Sequence, residues 1–276
     1  MFLYRTRFKK EIMAEFLPPA HKVKRPIKYK SIGHTQSSPL ALGARGRGDR
    51  VIILCDGMPG MPTKQGLARF LSSKGFWVIY PRYRGSWESG GQFLKKSPHL
   101  DISDVIDELP KGLKENAFGK KFKLSPSEIF VIGGSFGGAA AALSVLDPRV
   151  KKAIANCPVV DWSILRHSEK KETSNKSYAA YIKEAFGNGY RLNPKDWAKL
   201  HTGKFYNPAF HAHEIDPSKL MLFHAKDDPY VPWKSVAAFA HKTGAKLNLF
   251  QKGGHLSTDR IVRKYWKKID RFFVGR

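Results

Sequence analysis

Ser135 stands in a sequence context that could make its hydroxyl a nucleophile. It lies within a Gly-Gly-Ser-Phe-Gly stretch at 133–137, after an apolar run at 129–132 that predicts a buried strand and before small residues at 138–143 that predict a helix. A strand, a tight glycine turn and a helix form a nucleophile elbow, which exposes a serine at the end of a sheet. The glycines leave room for that turn, because side chains beside the serine would collide with the adjacent strand and helix. We therefore predict Ser135 as the nucleophile of an acyl-transfer reaction.

An acid and a histidine follow Ser135 in the order that would activate it. A serine hydroxyl needs a base to remove its proton and a third group to orient that base. Asp227 and Asp228 follow a predicted strand at 220–224, and His255 lies on a glycine loop after the last predicted strand. Because ligand-binding loops gather at the carboxyl ends of parallel strands, these side chains are expected to lie together. Asp228 and His255 are the predicted partners of Ser135, with Asp227 as the rival acid.

Acyl transfer also needs hydrogen-bond donors where negative charge develops on the carbonyl oxygen. One donor would be the backbone N–H of Phe136, directly after the nucleophile. The other would come from the loop after the predicted strand at 51–55, where the N–H of Met58 is best placed. We expect Met58 and Phe136 to form this oxyanion hole. The chemistry requires no cofactor and no metal ion.

The elements that must position these residues alternate between strands and helices. The predicted strands lie at 51–55, 76–80, 129–132, 150–155, 220–224 and 247–250, and the predicted helices at 62–74, 101–109, 138–143, 233–241 and 258–272. Repeated units of this kind build an α/β fold, in which a mostly parallel central sheet carries helices on both faces. Residues 161–216 interrupt the alternation, and their aromatic and basic composition predicts a small helical cap insertion.

The segment before the first core strand is expected to belong to the same domain. Residues 1 to about 20 predict a loosely docked helix or arm, and 21–32 and 40–42 predict edge strands. We therefore divide the chain into an N-terminal arm with edge strands at 1–50 and a catalytic domain at 51–276, with the insertion at about 161–216.

Composition says more about the cellular compartment of the protein than about the reaction that it catalyses. Of 276 residues, 42% are hydrophobic, which is enough for a large core, and the two cysteines, Cys55 and Cys157, fall in predicted buried strands. Free thiols are typical of a reducing compartment, and the sequence shows neither a signal-peptide pattern nor an apolar run of membrane-spanning length. These features predict a cytoplasmic protein. They do not predict its oligomeric state.

A strong excess of positive charge is the anomaly. The chain has 49 Lys and Arg against 23 Asp and Glu, a formal net charge of +26. Such a surface could attract nucleic acid, an anionic membrane or an anionic substrate. The basic residues are nevertheless scattered, with modest clusters at 22–25 and 120–123, and no nucleic-acid-binding motif accompanies them. Binding of a polyanion is therefore not favoured.

Five motifs together resemble the catalytic domain of the prolyl-oligopeptidase-like (peptidase S9 type) serine hydrolases, which belong to the α/β-hydrolase superfamily. They are Tyr-Pro-Arg-Tyr-Arg-Gly-Ser at 80–86, Gly-Gly-Ser-Phe-Gly-Gly at 133–138, Cys-Pro-Val-Val-Asp-Trp at 157–162, His-Ala-Lys-Asp-Asp-Pro-Tyr-Val-Pro at 224–232, and Gly-His at 254–255. The resemblance covers roughly residues 50 to 273 and implies the α/β-hydrolase fold. It also favours Asp228 over Asp227, because the family's catalytic aspartate stands three residues before the Val-Pro pair.

Two departures from that family bear on function. Asp56-Gly57 stands where family members carry His-Gly or Tyr-Gly, so a tyrosine donor is missing, and Asp56 would repel the oxyanion unless hydrogen-bonded or protonated. The family's gating β-propeller has no counterpart in the few residues before position 51, which favours an esterase over a gated peptidase. An aminopeptidase or oligopeptidase is the alternative activity, and an inactive hydrolase fold that binds polyanions is the alternative outside enzymes.

Overall fold

The structure, a computed structural model, describes residues 3–20, 49–163 and 175–275. The edge strands predicted at 21–32 and 40–42 lie outside these residues. Within the described ranges, no helix is long and apolar enough to cross a membrane.

Eight strands form one sheet, in the order β1-β2-β4-β3-β7-β8-β9-β10. The bounds are β1 Tyr4–Phe8, β2 Ile12–Leu17, β3 Asp49–Cys55, β4 Trp77–Pro81, β7 Pro126–Gly134, β8 Val150–Asn156, β9 Leu220–Ala225 and β10 Lys246–Phe250, with a separate two-stranded pair of β5 Leu113–Lys114 and β6 Lys121–Phe122. From β4 to β10 every pairing in the large sheet is parallel. All six strands that the apolar runs predicted are present, and the α/β prediction is confirmed.

Residues 4–17 form a β-hairpin, so the prediction of a helix or arm there was wrong. Strands β1 and β2 pair antiparallel, and β2 pairs antiparallel with β4. Lys9 and Lys10 lie in the turn between β1 and β2, and both have positive φ angles, as a tight hairpin turn requires. Burial of Ile12 and Phe16 against the sheet stabilises the extended conformation.

Helices cover the sheet on both faces. They are α1 Gln65–Ser73, α2 Pro98–Glu108, α3 Phe136–Ser144, α4 Asn175–Phe186, α5 Pro194–Ala198, α6 Trp233–Thr243, α7 Thr258–Lys264 and α8 Trp266–Val274. Side chains alternate along each strand: Val51 and Ile53 pack in the layer of α2, α3 and α6, whereas Ile52 and Leu54 pack in the layer of α1, α7 and α8. A sheet buried on both faces explains why its strands are continuous apolar runs.

The insertion is helical where the structure describes it. It contains α4, α5 and 3₁₀ turns at Gly187–Gly189, Lys199–Thr202 and Ala212–Glu214; further 3₁₀ turns lie at Leu109–Lys111 and Pro217–Lys219. Backbone bridges pair Ser86 with Tyr190 and Phe93 with Leu192. These bridges fasten the insertion to the loop that follows β4.

Candidate active site

Ser135 lies in a tight turn between β7 and α3 and has a strained backbone. Its φ of 56° and ψ of −121° belong to a region that non-glycine residues rarely occupy. The neighbouring glycines permit the turn: a Cβ on Gly133 would lie 1.9 Å from the carbonyl oxygen of Gly137, and a Cβ on Gly137 would lie 2.4 Å from that of Asp56. The turn leaves the Ser135 residue partly exposed, as a nucleophile must be.

Asp228 is the acid that contacts His255. Asp228 lies in the loop after β9, and its side chain is fully buried. Its Oδ2 lies 2.8 Å from Nδ1 of His255. The other oxygen accepts the N–H groups of Tyr230 and Val231 at 2.9 and 3.0 Å. Burial acts to raise the pKa of Asp228, but the hydrogen bonds from His255 and the two N–H groups outweigh it and hold that pKa below its ordinary value. A carboxylate at Nδ1 favours the tautomer in which Nε2 can accept a proton.

The side chain of Asp227 contacts the backbone of the loop that carries His255. Its carboxylate accepts the N–H groups of Gly253 at 3.1 Å and Gly254 at 2.8 Å, and these bonds lower the pKa of Asp227. The two adjacent aspartates therefore contact different parts of the loop that carries His255. Asp228 holds the imidazole, and Asp227 holds the turn that carries it.

Asn156, at the end of β8, connects the serine turn with the histidine loop. Its carbonyl oxygen accepts the N–H of Ser135 at 2.8 Å, and its side-chain amide donates to the carbonyl oxygen of Leu256 at 2.6 Å. Leu256 is the residue after His255. One residue thus connects two loops that lie far apart in sequence.

The loop after β3 lies directly beside Ser135. A Cβ on Gly57 would lie 3.4 Å from the carbonyl oxygen of Gly134 and 3.5 Å from Cβ of Ser135. Among the described residues, the N–H groups of Met58 and Phe136 have no protein acceptor. Both predicted oxyanion donors are therefore free to bind an oxygen of a substrate.

Asp56 is hydrogen-bonded and paired with a cation. The hydroxyl of Tyr80 donates to its Oδ2, Lys64 Nζ lies 2.5 Å from its Oδ1, and the N–H of Gly57 also donates to Oδ1 at 3.2 Å. Burial and the adjacent carboxylate raise the pKa of Tyr80 well above its ordinary value, so the phenol stays protonated and donates. The repulsion that an unpaired Asp56 would exert on an oxyanion is thus offset by Lys64.

His224 and Cys157 lie behind Asp228. His224 is completely buried, with Nε2 3.0 Å from the carbonyl oxygen of Val231 and 3.9 Å from Oδ2 of Asp228. Burial, together with the nearby carboxylate of Asp228, raises the pKa of the Cys157 thiol. The three potential ligand atoms lie within 4.8 Å of one another, as a metal site would require. The carboxylate of Asp228 already accepts hydrogen bonds from His255 and from two backbone N–H groups. We therefore interpret His224 and Cys157 as structural residues that pack behind it.

The sequence profile of the prolyl oligopeptidase family matches residues 65–275. This chain belongs to that family. The resemblance inferred from the sequence motifs is thereby confirmed, and the chain is a hydrolase of this α/β type.

Solved structures similar to this family member include an esterase, Est1E and a peptidase. The Pyrococcus furiosus esterase Pf2001 is 14% identical with a TM-score of 0.62 over 98% of this chain and 88% of its own. Est1E from Butyrivibrio proteoclasticus is 14% identical with a TM-score of 0.63 over 100% of both chains. The Pyrococcus horikoshii acylaminoacyl peptidase is 19% identical with a TM-score of 0.61 over 99% of this chain but only 41% of its own. At these identities the likeness establishes the fold.

Two residues of this family member that sequence reasoning missed contact the loop after β3. The hydroxyl of Tyr190, in the insertion, lies 3.1 Å from the N–H and 3.0 Å from the carbonyl oxygen of Gly60, and Nε1 of Trp87 donates to the same oxygen at 3.1 Å. Burial raises the pKa of Tyr190 to about 12, so its hydroxyl remains protonated. Nothing in the sequence distinguished Tyr190 from the other aromatic residues of the insertion.

Proposed function

We propose that this hydrolase cleaves carboxylic esters through an acyl-enzyme intermediate on Ser135. The observation that carries the proposal is the hydrogen bond between His255 Nδ1 and the buried carboxylate of Asp228, in a chain whose serine occupies a strained elbow. That combination supplies a nucleophile, a base and the group that orients the base.

The proposed reaction proceeds in two halves. In the first, Ser135 Oγ attacks the ester carbonyl while its proton moves to Nε2 of His255, and the N–H groups of Met58 and Phe136 bind the oxyanion. The intermediate collapses, and His255 returns the proton to the departing alcohol. In the second half, His255 takes a proton from water, the resulting hydroxide attacks the acyl group, and the carboxylic acid leaves as Ser135 recovers its proton. Asp228 stabilises the imidazolium in both halves.

Ester rather than amide substrates are supported by the similar structures. One of them is the Pyrococcus furiosus esterase Pf2001, and the Est1E structure has also been solved with ferulic acid bound. The acylaminoacyl peptidase supports the alternative, an aminopeptidase or oligopeptidase activity, but this chain spans only 41% of it. Cleavage of aminoacyl p-nitroanilides compared with short p-nitrophenyl esters distinguishes the two substrate classes.

The test is hydrolysis of p-nitrophenyl esters by the wild-type chain and by Ser135→Ala. Removal of the nucleophile is expected to lower kcat by about 10⁴-fold or more, the typical effect of losing a triad member. Ser127→Ala, which changes an exposed serine near the opposite end of β7, is the matched control and should retain wild-type rates. Turnover of Ser135→Ala near the wild-type rate would contradict the nucleophile, whereas wild-type cleavage of anilides without esters would favour the peptidase.

A further inference from the structure

Phe118 is an exposed aromatic side chain at the tip of the turn that joins β5 to β6. Its exposed fraction is 94%, against 70% for Tyr230 and 64% for Met61, the next most exposed large apolar side chains among the described residues. A single exposed apolar side chain is ordinary in a soluble protein. Its meaning depends on how it is held and on what surrounds it.

The turn that carries Phe118 is ordered by a buried acid. Glu115 is 7% exposed, and its carboxylate oxygens accept the N–H groups of Ala117 and Phe118, both at 2.7 Å. The N–H of Gly119 bonds the carbonyl oxygen of Glu115 at 3.1 Å, and the N–H of Asn116 bonds that of Arg5, in β1, at 2.9 Å. The aromatic tip is therefore pre-organised, and its binding to a partner would not require ordering of the turn.

Lysines without acidic partners surround this tip. Lys114 and Lys121 stand directly opposite each other across the β5–β6 pair, an arrangement of like charges that destabilises a hairpin in water. Both are exposed, as is Lys123, and none of the three lies within ion-pairing distance of a carboxylate in the described part of the chain. Glu115 is the only acidic residue between 109 and 125, and its carboxylate is occupied by the turn.

We propose that the β5–β6 hairpin is a docking surface for an anionic lipid membrane. Phe118 inserts among the headgroups, where an aromatic ring is favourable, while Lys114, Lys121 and Lys123 contact the anionic phosphates. Anionic headgroups relieve the repulsion between the two opposed lysines. Two weak contributions, an apolar tip and a cluster of cations, together give reversible membrane binding.

A membrane suits this surface better than a single-stranded nucleic acid does. Nucleic-acid strands bind along grooves in which successive bases stack on aromatic side chains. Here Phe118 makes no ring contact with another aromatic side chain among the described residues, and the nearby rings of Tyr4 and Phe122 pack against each other beneath the ammonium group of Lys120.

The hairpin lies along the β1 edge of the sheet, where the N–H of Asn116 in its turn bonds the carbonyl oxygen of Arg5 in β1. Strands β1, β2, β4 and β3 separate it from β7, the strand that leads to Ser135. The proposed docking surface is therefore separate from the turn that carries Ser135. Since the inference concerns binding alone, it does not rest on the proposed function.

Co-sedimentation of the full chain with lipid vesicles tests the proposal. The probes are phosphatidylcholine vesicles with and without about one-third phosphatidylserine, at a physiological ionic strength of about 0.15 M. Phe118→Ser and the double variant Lys114→Gln/Lys121→Gln are compared with matched controls elsewhere, Tyr181→Ser and Lys242→Gln/Lys246→Gln, which remove another exposed aromatic ring and two other exposed lysine charges.

The expected result is binding that requires phosphatidylserine and falls about tenfold or more in each hairpin variant, but less than twofold in the controls. Phe118→Trp should bind like the wild type, and its added tryptophan fluorescence should shift to shorter wavelength with anionic vesicles. Absent binding, or equal losses in hairpin and control variants, would overturn the proposal. So would hairpin-dependent binding of oligo(dT) without vesicle binding, which would assign the surface to nucleic acid.

Discussion

The role proposed for Ser135 depends on a backbone angle that its neighbours impose. A positive φ at a non-glycine residue costs about 1–3 kcal/mol and persists only where the surrounding structure fixes it. Here the turn is closed by the close approach of Gly133 to Gly137 and by the bond from the N–H of Ser135 to Asn156. The strain therefore has a visible structural cause, and its position coincides with the residue that the glycine pattern predicted.

The two adjacent aspartates provide a sharp test at this scale. Asp228→Asn is expected to lower kcat for a p-nitrophenyl ester by about 10⁴-fold with little change in KM, because the charge that stabilises the imidazolium and fixes its tautomer is lost. Asp227→Asn keeps an oxygen that can accept the N–H of Gly253 or Gly254, so a loss of about tenfold or less is expected. A larger loss in Asp227→Asn than in Asp228→Asn would reverse the assignment of the acid.

Part of this site could be predicted from the sequence because its residues follow strands. Ser135, Asp228 and His255 each come after an apolar run, and the carboxyl ends of parallel strands meet at one edge of a sheet. The environment of Asp56 could not be predicted. Its partners, Tyr80 and Lys64, lie in β4 and in the segment before α1, and only the folded chain brings the phenol and the ammonium to the same carboxylate.

At the scale of elements, the insertion contacts the loop that follows β3. Tyr190 of the insertion contacts Gly60, two residues beyond the proposed donor Met58, and Trp87 in the loop after β4 contacts the same residue. The side chain of Arg191 reinforces this junction, because its guanidinium donates to backbone carbonyl oxygens in the loop at 87–91. The position of the oxyanion donor is therefore coupled to the insertion.

This coupling predicts the effect of removing one hydroxyl. Tyr190→Phe should lower kcat about tenfold with KM within twofold, because a displaced donor weakens binding of the oxyanion more than that of the substrate. Tyr181→Phe, which removes an exposed hydroxyl from the same insertion, should leave both constants unchanged. Ester kinetics and thermal unfolding are measured together. An unchanged kcat in a folded Tyr190→Phe variant would show that the contact with Gly60 does not position the donor.

At the scale of the molecule, the N-terminal hairpin of β1 and β2 is part of the central sheet and does not project from it as an arm. Strand β2 covers the edge of β4, and Glu15 in that strand forms a buried ion pair with Arg82 at 3.0 Å. An uncovered β4 would present unpaired backbone groups and apolar side chains to water. We propose on these contacts that the hairpin of β1 and β2 belongs to the same domain as β3 to β10.

Truncation tests that proposal. A chain beginning at Asp49 is expected to lose its cooperative thermal transition, and the milder Phe16→Ala, which removes a completely buried ring, should lower the free energy of unfolding by about 3–5 kcal/mol. Circular dichroism during heating and urea titration provide the two measurements. A truncated chain that unfolds cooperatively at the wild-type temperature would mean that the hairpin is a dispensable arm.

The extended conformation of the same hairpin could not be predicted from the sequence. Strands β3 to β9 of the large sheet are buried on both faces, so their apolar runs identified them without knowledge of their neighbours. Residues 4–17 carry mixed polar and apolar side chains, and their extended conformation depends on β4, more than sixty residues away in sequence. Local patterning could not predict that pairing, nor could it predict which residues of the insertion would contact Gly60.

Labelling with a fluorescent fluorophosphonate tests the central claim, that Ser135 is an activated nucleophile, most directly. The probe phosphonylates a serine only where base and oxyanion donors are assembled, so it requires no knowledge of the natural substrate. We expect the wild-type chain and Ser127→Ala to be labelled and Ser135→Ala to remain unlabelled. A folded wild-type chain that resists the probe, or a Ser135→Ala variant that still reacts with it, would contradict the assignment of Ser135.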